Sequence, residues 1–207
     1  MFARLLPGIA AMAAVVVASN ILVQYLAGAY LTWGAFTYPI AFLVNDLTNR
    51  AYGPAAARKV VFVGFLVGVA CSLIGTQIVG EFGPLVTLRI AVGSGLAFLT
   101  AQLLDVAIFD RLRAGTWWRA PLASSLIGAA VDTALFFFIA FSAQLTLLEP
   151  VNDVAWANGA EPLLGLGPTL PLWVSLATAD FLVKVAIALI ALVPFRVLSR
   201  RFQQTPT

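Results

Sequence analysis

The sequence predicts an all-α membrane protein with six transmembrane helices and both termini in the cytoplasm. Of its 207 residues, 61% are hydrophobic and only 10% are charged, whereas soluble domains have about 45–50% apolar and about 25% charged residues. The mean hydropathy is +0.98, and apolar segments of about 20 residues, the length that crosses a bilayer, recur along the chain. We therefore expect residues 1–207 to form a single polytopic domain embedded in lipid.

Composition also limits the chemistry that the chain can perform. It has one cysteine, Cys71, and no histidine, so an internal disulfide is excluded and zinc, haem and Ser-His hydrolase sites are disfavoured. The net charge of +3 could suggest nucleic acid as a partner, but the basic residues cluster at the ends of apolar segments. We predict no metal, no cofactor and no nucleic-acid partner. The lipid bilayer is the expected surrounding, and a homo-oligomer is compatible with the sequence.

The first helix is predicted over residues 5–26. Its basic start at Arg4 and its alanine-rich run resemble a signal peptide, but the apolar run continues well past any small-residue cleavage site. We therefore expect this helix to be retained. Asn20 and Gln24 lie one turn apart on it, and we interpret them as interhelical hydrogen-bonding residues, with contact to a polar ligand as the alternative.

The second helix is predicted over residues 31–49 and contains Pro39 near its middle. Proline removes the hydrogen bond to the carbonyl of Ala35 and kinks the helix, which leaves that carbonyl free to bind a ligand. Asn45 and Asp46 follow toward the end of the helix. They are candidate ligand-binding residues, and the alternative is that they form a solvated helix end or a cap near the membrane edge.

The third helix is predicted over residues 60–80 and carries Gly64, Gly68 and Ser72 at four-residue spacing. Small residues at this spacing let the backbone of a neighbouring helix approach closely. We interpret them as a packing stripe without a chemical role.

The stretch from Arg89 to Arg119, an apolar span that ends in charged residues, organises the predicted bundle. Gln102 and Asp105 lie three residues apart and share one helical face. A stripe of small residues precedes them, and it consists of Gly93, Ala97 and Ala101. Because a carboxylate within a span costs about 2.5–3.5 kcal/mol, we expect a tightly packed fourth helix that presents Gln102 and Asp105 to an interior site.

The fifth and sixth helices place further charged residues inside the membrane. The fifth, predicted over residues 120–144, has Asp132 near its middle. The sixth, predicted over residues 171–195, carries Asp180 and Lys184 with the acid before the base, the favourable order for a helical ion pair. We predict a structural ion pair at these two residues, with a role in proton coupling as the alternative.

The distribution of basic residues predicts the topology. Ten of the twelve lie in four places. These are Arg4, then Arg50, Arg58 and Lys59, then Arg111, Arg113 and Arg119, and finally Arg196, Arg200 and Arg201. These places are alternate connections of a six-helix protein, and basic residues prefer the cytoplasmic side. Both termini are therefore predicted to be cytoplasmic.

The acidic residues in the spans suggest one ligand site. Neither Asp105 nor Asp132 has a basic residue within a turn of its own helix, and intramembrane ionisable residues usually mark a ligand or ion pathway. We predict that both share a site with Gln102 between the fourth and fifth helices, with a proton or N–H groups of a ligand as the missing partner. Aromatic faces such as Phe98 and Tyr38 suit a flat, hydrogen-bonding ring. The alternative is that both acids only bridge helices.

Two other functional classes are compatible with these residues. An intramembrane aspartyl enzyme would need two facing carboxylates, which Asp105 and Asp132 could supply, although the chain has no Gly-Xaa-Gly-Asp stretch. A substrate-binding subunit that docks on an energising complex would have the same apolar helices.

Three groups of residues resemble the signatures of the queuosine-precursor transporter family. The first comprises Phe36-Thr37-Tyr38-Pro39, Asn45-Asp46-Leu47-Thr48, Tyr52-Gly53 and Arg58. The second comprises Arg89, Ser94, Ala97-Phe98, Gln102, Asp105 and Phe109. The third comprises Trp118-Arg119, Ser124-Ser125, Asp132-Thr133 and Phe136. Arg50 departs from the family pattern, which has an acidic residue before the Tyr-Gly pair, and this argues against cation or proton binding at that turn.

The resemblance covers nearly the whole chain except the loop at 145–170 and the tail. It implies a stand-alone importer of 7-deazaguanine bases in the bacterial inner membrane, and therefore not an enzyme. It also implies a fold similar to the six-helix substrate-binding subunits of energy-coupling vitamin transporters. The purine-like substrate would be bound by Gln102, Asp105 and Asp132 with Phe98 and Tyr38. The signature residues Asn45, Asp46, Arg89 and Ser94 complete the expected ligand site.

Overall fold

The chain folds into an all-α membrane protein. A computed structural model describes residues 2–81 and 83–203, with side chains for residues 3–81 and 83–200, so the side chain of Arg201 lies outside the described part. Within it, five helices are long and apolar enough to cross a bilayer. These are Ala3–Leu22, Pro54–Gln77, Leu88–Leu112, Arg119–Phe141 and Leu172–Arg200.

The first helix, α1 (Phe2–Leu22), ends four residues before the predicted boundary. A hairpin replaces its predicted last turn, because the amide of Trp33 donates to the carbonyl of Tyr25 at 2.9 Å. Gly28 lies at the tip with φ of 86°, a conformation that costs glycine little.

The second predicted helix is broken into two pieces at Pro39. The first piece, α2, is a single turn at Gly34–Thr37, and the second, α3, spans Ile40–Tyr52. The predicted interruption at Pro39 is therefore confirmed, whereas the predicted end at residue 49 is one turn too early. Gly53, with φ of 84°, ends α3 and leads directly into the next helix.

The fourth helix, α4 (Pro54–Gln77), begins six residues before the predicted start at residue 60. Proline favours this early start, because the backbone N–H groups of the first helical turn have no partner within the helix and proline has no N–H group to leave unpaired. The predicted packing stripe is confirmed, since a Cβ at Gly64 would lie 2.6 Å from Met12 of α1 and one at Gly68 would lie 3.5 Å from Val16. A hairpin of β1 (Val79–Gly80) and β2 (Gly83–Pro84) follows α4.

The helices α5 (Leu88–Leu112) and α6 (Arg119–Phe141) form the closest pair in the bundle. With 25 residues, α5 is about 37 Å long, enough to cross a bilayer. A Cβ at Gly93 would lie 3.4 Å from the carbonyl of Phe136, and one at Gly128 would lie 3.3 Å from the carbonyl of Ala101. The small-residue stripe on α5 therefore brings two backbones together, as the sequence predicted.

The last helix, α7 (Leu172–Gln203), continues beyond the predicted end at residue 195 despite Pro194. The connection to it is built of short elements. These are 3-10 turns at Ala143–Leu148, Ala155–Asn158 and Leu163–Gly165, and a hairpin of β3 (Ala160–Pro162) with β4 (Thr169–Pro171).

The basic turns of the chain meet at one end of the bundle, which we call the basic end. The guanidinium of Arg50 donates to the carbonyl of Arg113 at 3.0 Å, and Arg113 donates to the carbonyl of Asn49 at 3.5 Å. Arg196 of α7 lies 4.3 Å above the ring of Trp117. Three separate basic segments therefore share one end, as expected if they face one side of a membrane.

Candidate functional site

Polar side chains in the middle of the bundle connect α3 to α5. The side-chain amide nitrogen of Asn45 donates to the backbone carbonyl of Gln102 at 3.1 Å and to the carboxylate of Asp105 at 2.9 Å. One turn further along α3, the amide nitrogen of Asn49 donates to the carbonyl of Val106 at 3.1 Å. Two amides one turn apart thus hold two carbonyls of α5, which fixes the register of the two helices.

Asp46, the neighbour of Asn45, connects the same site to α6. Its two carboxylate oxygens accept hydrogen bonds from Ser124 and Ser125, each at 3.2 Å. Its carboxyl group also lies close to that of Asp105, to which its chain neighbour Asn45 donates. We call these six residues the polar cluster. Its members are Asn45 and Asp46 of α3, Gln102 and Asp105 of α5, and Ser124 and Ser125 of α6.

The polar cluster is excluded from the protein surface. Asn45 and Asp105 are 0% exposed, and Asp46 and Gln102 are 2% exposed. The alternative that Asn45 and Asp46 form a solvated helix end or a cap is wrong, because α3 continues for almost two more turns to Tyr52. Both residues are buried because α3 begins directly after Pro39 and packs against α5.

Several oxygen atoms of the cluster have no hydrogen-bond partner among the described residues. They are Oδ1 of Asn45, Oε1 of Gln102 and Oδ1 of Asp105, and Oδ1 of Asn49 lies one turn away. A buried polar atom without a partner costs about 1–3 kcal/mol. All are acceptors, so the arrangement is complementary to a species that brings donors, such as N–H groups or a proton.

A second group of charged residues connects α6 to α7. The ammonium of Lys184 lies 2.6 Å from Asp180 and 2.7 Å from Asp132, and it donates to the hydroxyl of Thr133 at 2.9 Å. Thr133 in turn donates to Asp180 at 2.7 Å. We call Asp132, Asp180 and Lys184 the lysine triad.

The lysine triad confirms one expectation from the sequence and corrects another. The predicted pair of Asp180 and Lys184 forms, with Asp132 as a third member, so the group contains two acids and one base with one excess negative charge. Asp132 was expected to lack a cation and to share a site with Asp105. Its partner is instead Lys184, 52 residues further along the chain. The facing carboxylates that an aspartyl enzyme would need are therefore not Asp105 and Asp132.

Two cavities lie on opposite sides of the polar cluster. Residues that line the first, which we call the α7 cavity, include Pro39, Phe42, Asp46, Ser125, Lys184 and Phe195. Residues that line the second, which we call the α4 cavity, include Val16, Tyr38, Ser72, Ser94, Gly95 and Phe98. The break between α2 and α3 separates them, since Tyr38 lines one cavity and Pro39 the other.

The predicted aromatic and hydroxyl residues are brought together in the α4 cavity. The hydroxyl groups of Tyr38 and Ser94 lie near one another in the lining of this cavity, and Phe98 lies one turn after Ser94 on α5. Gln102 follows Phe98 by one more turn. One face of α5 therefore leads from the α4 cavity to the polar cluster.

Arg89, a predicted ligand-binding residue, is held by protein groups. It is 1% exposed and donates to the carbonyls of Ile139 and Ser142 at 3.0 and 2.6 Å. These carbonyls lie at the C-terminal end of α6, where a cation interacts favourably with the helix dipole. Its backbone amide also donates to Glu149 at 3.0 Å. These contacts place Arg89 at the end of the bundle opposite the basic end, away from the polar cluster.

Sequence reasoning did not assign Ser124, Ser125 and Asn49 to the site. From the sequence, Ser124 and Ser125 were identified only among the residues of the third signature. The spacing of Asn45 and Asn49, one turn apart, was the available signal. It became interpretable once α3 was known to continue beyond residue 49.

Comparisons with known proteins give a family and several relatives. A family model described as "Putative vitamin uptake transporter" matches residues 32–198. The "Queuosine precursor transporter" of Escherichia coli (strain K12) is 40% identical over 141 residues, which cover 61% of this chain and 64% of that protein. The "Probable queuosine precursor transporter" of Haemophilus influenzae (strain ATCC 51907 / DSM 11121 / KW20 / Rd) is 34% identical over 174 residues, which cover 79% and 66%.

A third relative, the "Probable queuosine precursor transporter" of Bacillus subtilis (strain 168), is 28% identical over 187 residues, 81% of this chain and 71% of that protein. The alignments span just under two thirds of the length of the first two relatives. No solved structure matches the chain.

Proposed function

The chain belongs to the family described as "Putative vitamin uptake transporter", and on that premise we propose that it imports queuosine precursors, which are 7-deazaguanine bases, across the bacterial inner membrane. The names of its relatives support this substrate class. The protein acts as a carrier and not as an enzyme, and residues 1–207 form one polytopic domain.

The observation that carries the proposal is the set of buried oxygen acceptors without partners at Asn45, Gln102 and Asp105. The pyrimidinone ring of a 7-deazaguanine has two adjacent donors, the ring N–H and the exocyclic amino group. The free oxygen of Asp105 accepts a hydrogen bond from this edge, and the Gln102 side-chain amide forms a hydrogen bond with a neighbouring polar group of the ring. A flat base also stacks on an aromatic face, which Phe98 provides one turn from Gln102.

The substrate site is therefore centred on the polar cluster, with Tyr38 and Ser94 at its rim in the α4 cavity. Asp46 belongs to the site through its contacts with Asp105 and α6. Asp132 is left out because Lys184 already binds its carboxylate. Arg89 is left out because its guanidinium holds the end of α6.

The proposed topology has six spans with both termini in the cytoplasm. The five long helices supply five of them, and the broken segment of α2 and α3 supplies the other. From Gly34 to Tyr52 this segment has 19 residues, or about 28 Å at helical rise, close to the thickness of a bilayer core. The basic end of the bundle then faces the cytoplasm, so the α7 cavity lies on the cytoplasmic side and the α4 cavity on the outer side.

Uptake of a radiolabelled 7-deazaguanine, measured in cells that cannot make queuosine precursors, tests the proposal. Gln102→Ala removes one amide from the site and should weaken binding by about 1–3 kcal/mol, a rise of about 5- to 150-fold in the concentration needed for half-maximal uptake. Gln77→Ala is the matched control, because that amide is exposed and bonds only to Thr76. Equal uptake by both variants, at equal amounts in the membrane, would refute the site.

A substrate-binding subunit that docks on an energising complex is the competing function. Purified protein reconstituted alone in liposomes distinguishes the two. Uptake by the chain alone supports a stand-alone carrier, and binding without uptake supports a subunit that needs a partner.

A further inference from the structure

The carboxyl groups of Asp46 on α3 and Asp105 on α5 lie close together, because Asn45, the chain neighbour of Asp46, donates to Asp105 at 2.9 Å. Their residues are 2% and 0% exposed. The side chains that donate hydrogen bonds to them are neutral, and they are Asn45, Ser124 and Ser125. Two ionised carboxylates that are buried close together repel one another. The arrangement therefore favours a state in which one proton is bound between the two groups.

No cation near the pair is free to replace that proton. On α7, Lys184 lines the same cavity as Asp46, but its ammonium is bound by Asp132 of α6 and by Asp180. On α3, Arg50 lies one turn after Asp46, but it points to the basic end, where it donates to a backbone carbonyl and covers an aromatic ring.

The remaining helices that pack against α3 bring no charge to the pair. The described basic side chains of α1 and α4 are exposed near the basic end, and they are Arg4, Arg58 and Lys59. The acid of α5 nearest that end, Asp110, is bound by Arg113 at 3.1 Å. Among the described residues no salt bridge includes Asp46 or Asp105, and Arg50 acts on Asp46 only from a distance.

The pair also lies on a polar route between the two cavities. Asp46 lines the α7 cavity directly. Asp105 is linked through Asn45 to Gln102, one turn from Phe98 in the α4 cavity. A proton bound between Asp46 and Asp105 is thus separated from either cavity by few side chains.

We propose that Asp46 and Asp105 bind one transported proton and that the protein is a proton-coupled symporter, an inference that rests on the uptake function proposed above. The proton enters from the outer side, is held between the two carboxyl groups, and leaves to the cytoplasm through the α7 cavity. While it is bound, the carboxyl oxygen of Asp105 that does not share the proton accepts from the N–H edge of the base, so proton and base occupy one site together. Loss of the proton restores repulsion between the carboxylates, which separates α3 from α5 and weakens the site.

The test uses the full chain, purified and reconstituted in liposomes, with radiolabelled 7-deazaguanine as the probe. For one proton per base, an outside pH one unit below the inside pH should drive about tenfold accumulation of the probe. Asp46→Asn keeps the shape of the side chain and removes its charge. It should abolish the accumulation of the probe that the pH gradient drives. Asp110→Asn, an acid at the basic end, is the control and should accumulate like the unmodified protein.

A measurement on the unmodified protein avoids dependence on a variant that fails to fold. Addition of the probe to lightly buffered proteoliposomes should make the outer medium more alkaline, with about one proton taken up per base. Equal uptake with and without the pH gradient, absence of alkalinisation, or accumulation driven by a sodium gradient at equal pH would each overturn proton coupling and leave the uptake function intact. Absence of uptake and of exchange under every gradient would overturn the uptake function itself.

Discussion

Replacement of Lys184 by methionine should destabilise the protein far more than replacement of either acid that it binds. The ammonium of Lys184 lies 2.6 Å from Asp180 and 2.7 Å from Asp132. Lys184→Met leaves two adjacent carboxylates without their cation in a side-chain environment that is mostly buried. Breaking a buried ion pair in this way costs about 3–5 kcal/mol.

The charge of the triad decides how the other substitutions rank. With two acids and one base it carries one excess negative charge, so Asp180→Asn leaves a neutral pair of Lys184 and Asp132. We expect a loss of only about 1 kcal/mol, the value of one hydrogen bond. In a self-contained pair of Asp180 and Lys184, by contrast, Lys184→Met would rescue Asp180→Asn. In the triad the double variant isolates Asp132 and should be less stable than Asp180→Asn alone.

Thermal unfolding of the detergent-purified protein measures this ranking. A loss of 3–5 kcal/mol corresponds to a fall of about 6–20 °C in Tm for a chain of this size. Lys59→Met is the matched control, because that lysine is exposed, and its Tm should not change. A double variant that is more stable than Asp180→Asn, or a Lys184→Met protein with an unchanged Tm, would refute the triad.

Three further predictions concern topology and packing. Leu166 is 97% exposed. In a cysteine-free background, Leu166→Cys should react with an impermeant thiol reagent added outside intact cells, and Ala114→Cys should not. Reversed labelling would contradict the proposed orientation. Arg89→Met removes two bonds to carbonyls of α6 and should cost about 2–5 kcal/mol in unfolding assays, while substrate affinity in the folded fraction stays unchanged. Gly128→Ala would place a Cβ 2.7 Å from a ring carbon of α3 and should cost about 1–3 kcal/mol, whereas Gly95→Ala, 3.5 Å from its nearest neighbour, should be tolerated with little change in Tm.

The sequence predicted those features that depend on local periodicity and on the length of apolar segments. The membrane-spanning helices were located because about 20 apolar residues are needed to cross a bilayer. The close packing of α5 was predictable because Gly93, Ala97 and Ala101 lie at four-residue spacing on one face. The break at Pro39 was predictable because proline cannot donate the helical hydrogen bond.

Features that depend on which helix faces which were not predictable from local patterns. Asp132 and Lys184 are 52 residues apart, and no pattern on either helix identifies the other as a partner. The burial of Asn45 and Asp46 depends on where α3 ends relative to the bundle, and that boundary was predicted one turn too early. The bonds of Arg89 to the end of α6 were not predictable either, because they depend on the position of a different helix.

The two acidic groups differ in a way that bears on which part of the bundle can change during the proposed transport. In the lysine triad each buried oxygen and nitrogen atom of the described side chains has a partner, so separating α6 from α7 would expose charges at a cost of several kcal/mol. In the polar cluster, Asn45, Gln102 and Asp105 each retain an oxygen without one, and in the proposed mechanism the contact between Asp46 and Asp105 holds only while a proton is bound. We therefore expect the interface of α3 with α5 to depend on ligand and proton, and the interface of α6 with α7 to be independent of both. Distance measurements between labels on α3 and α5 should change with substrate and pH, and those between α6 and α7 should remain constant.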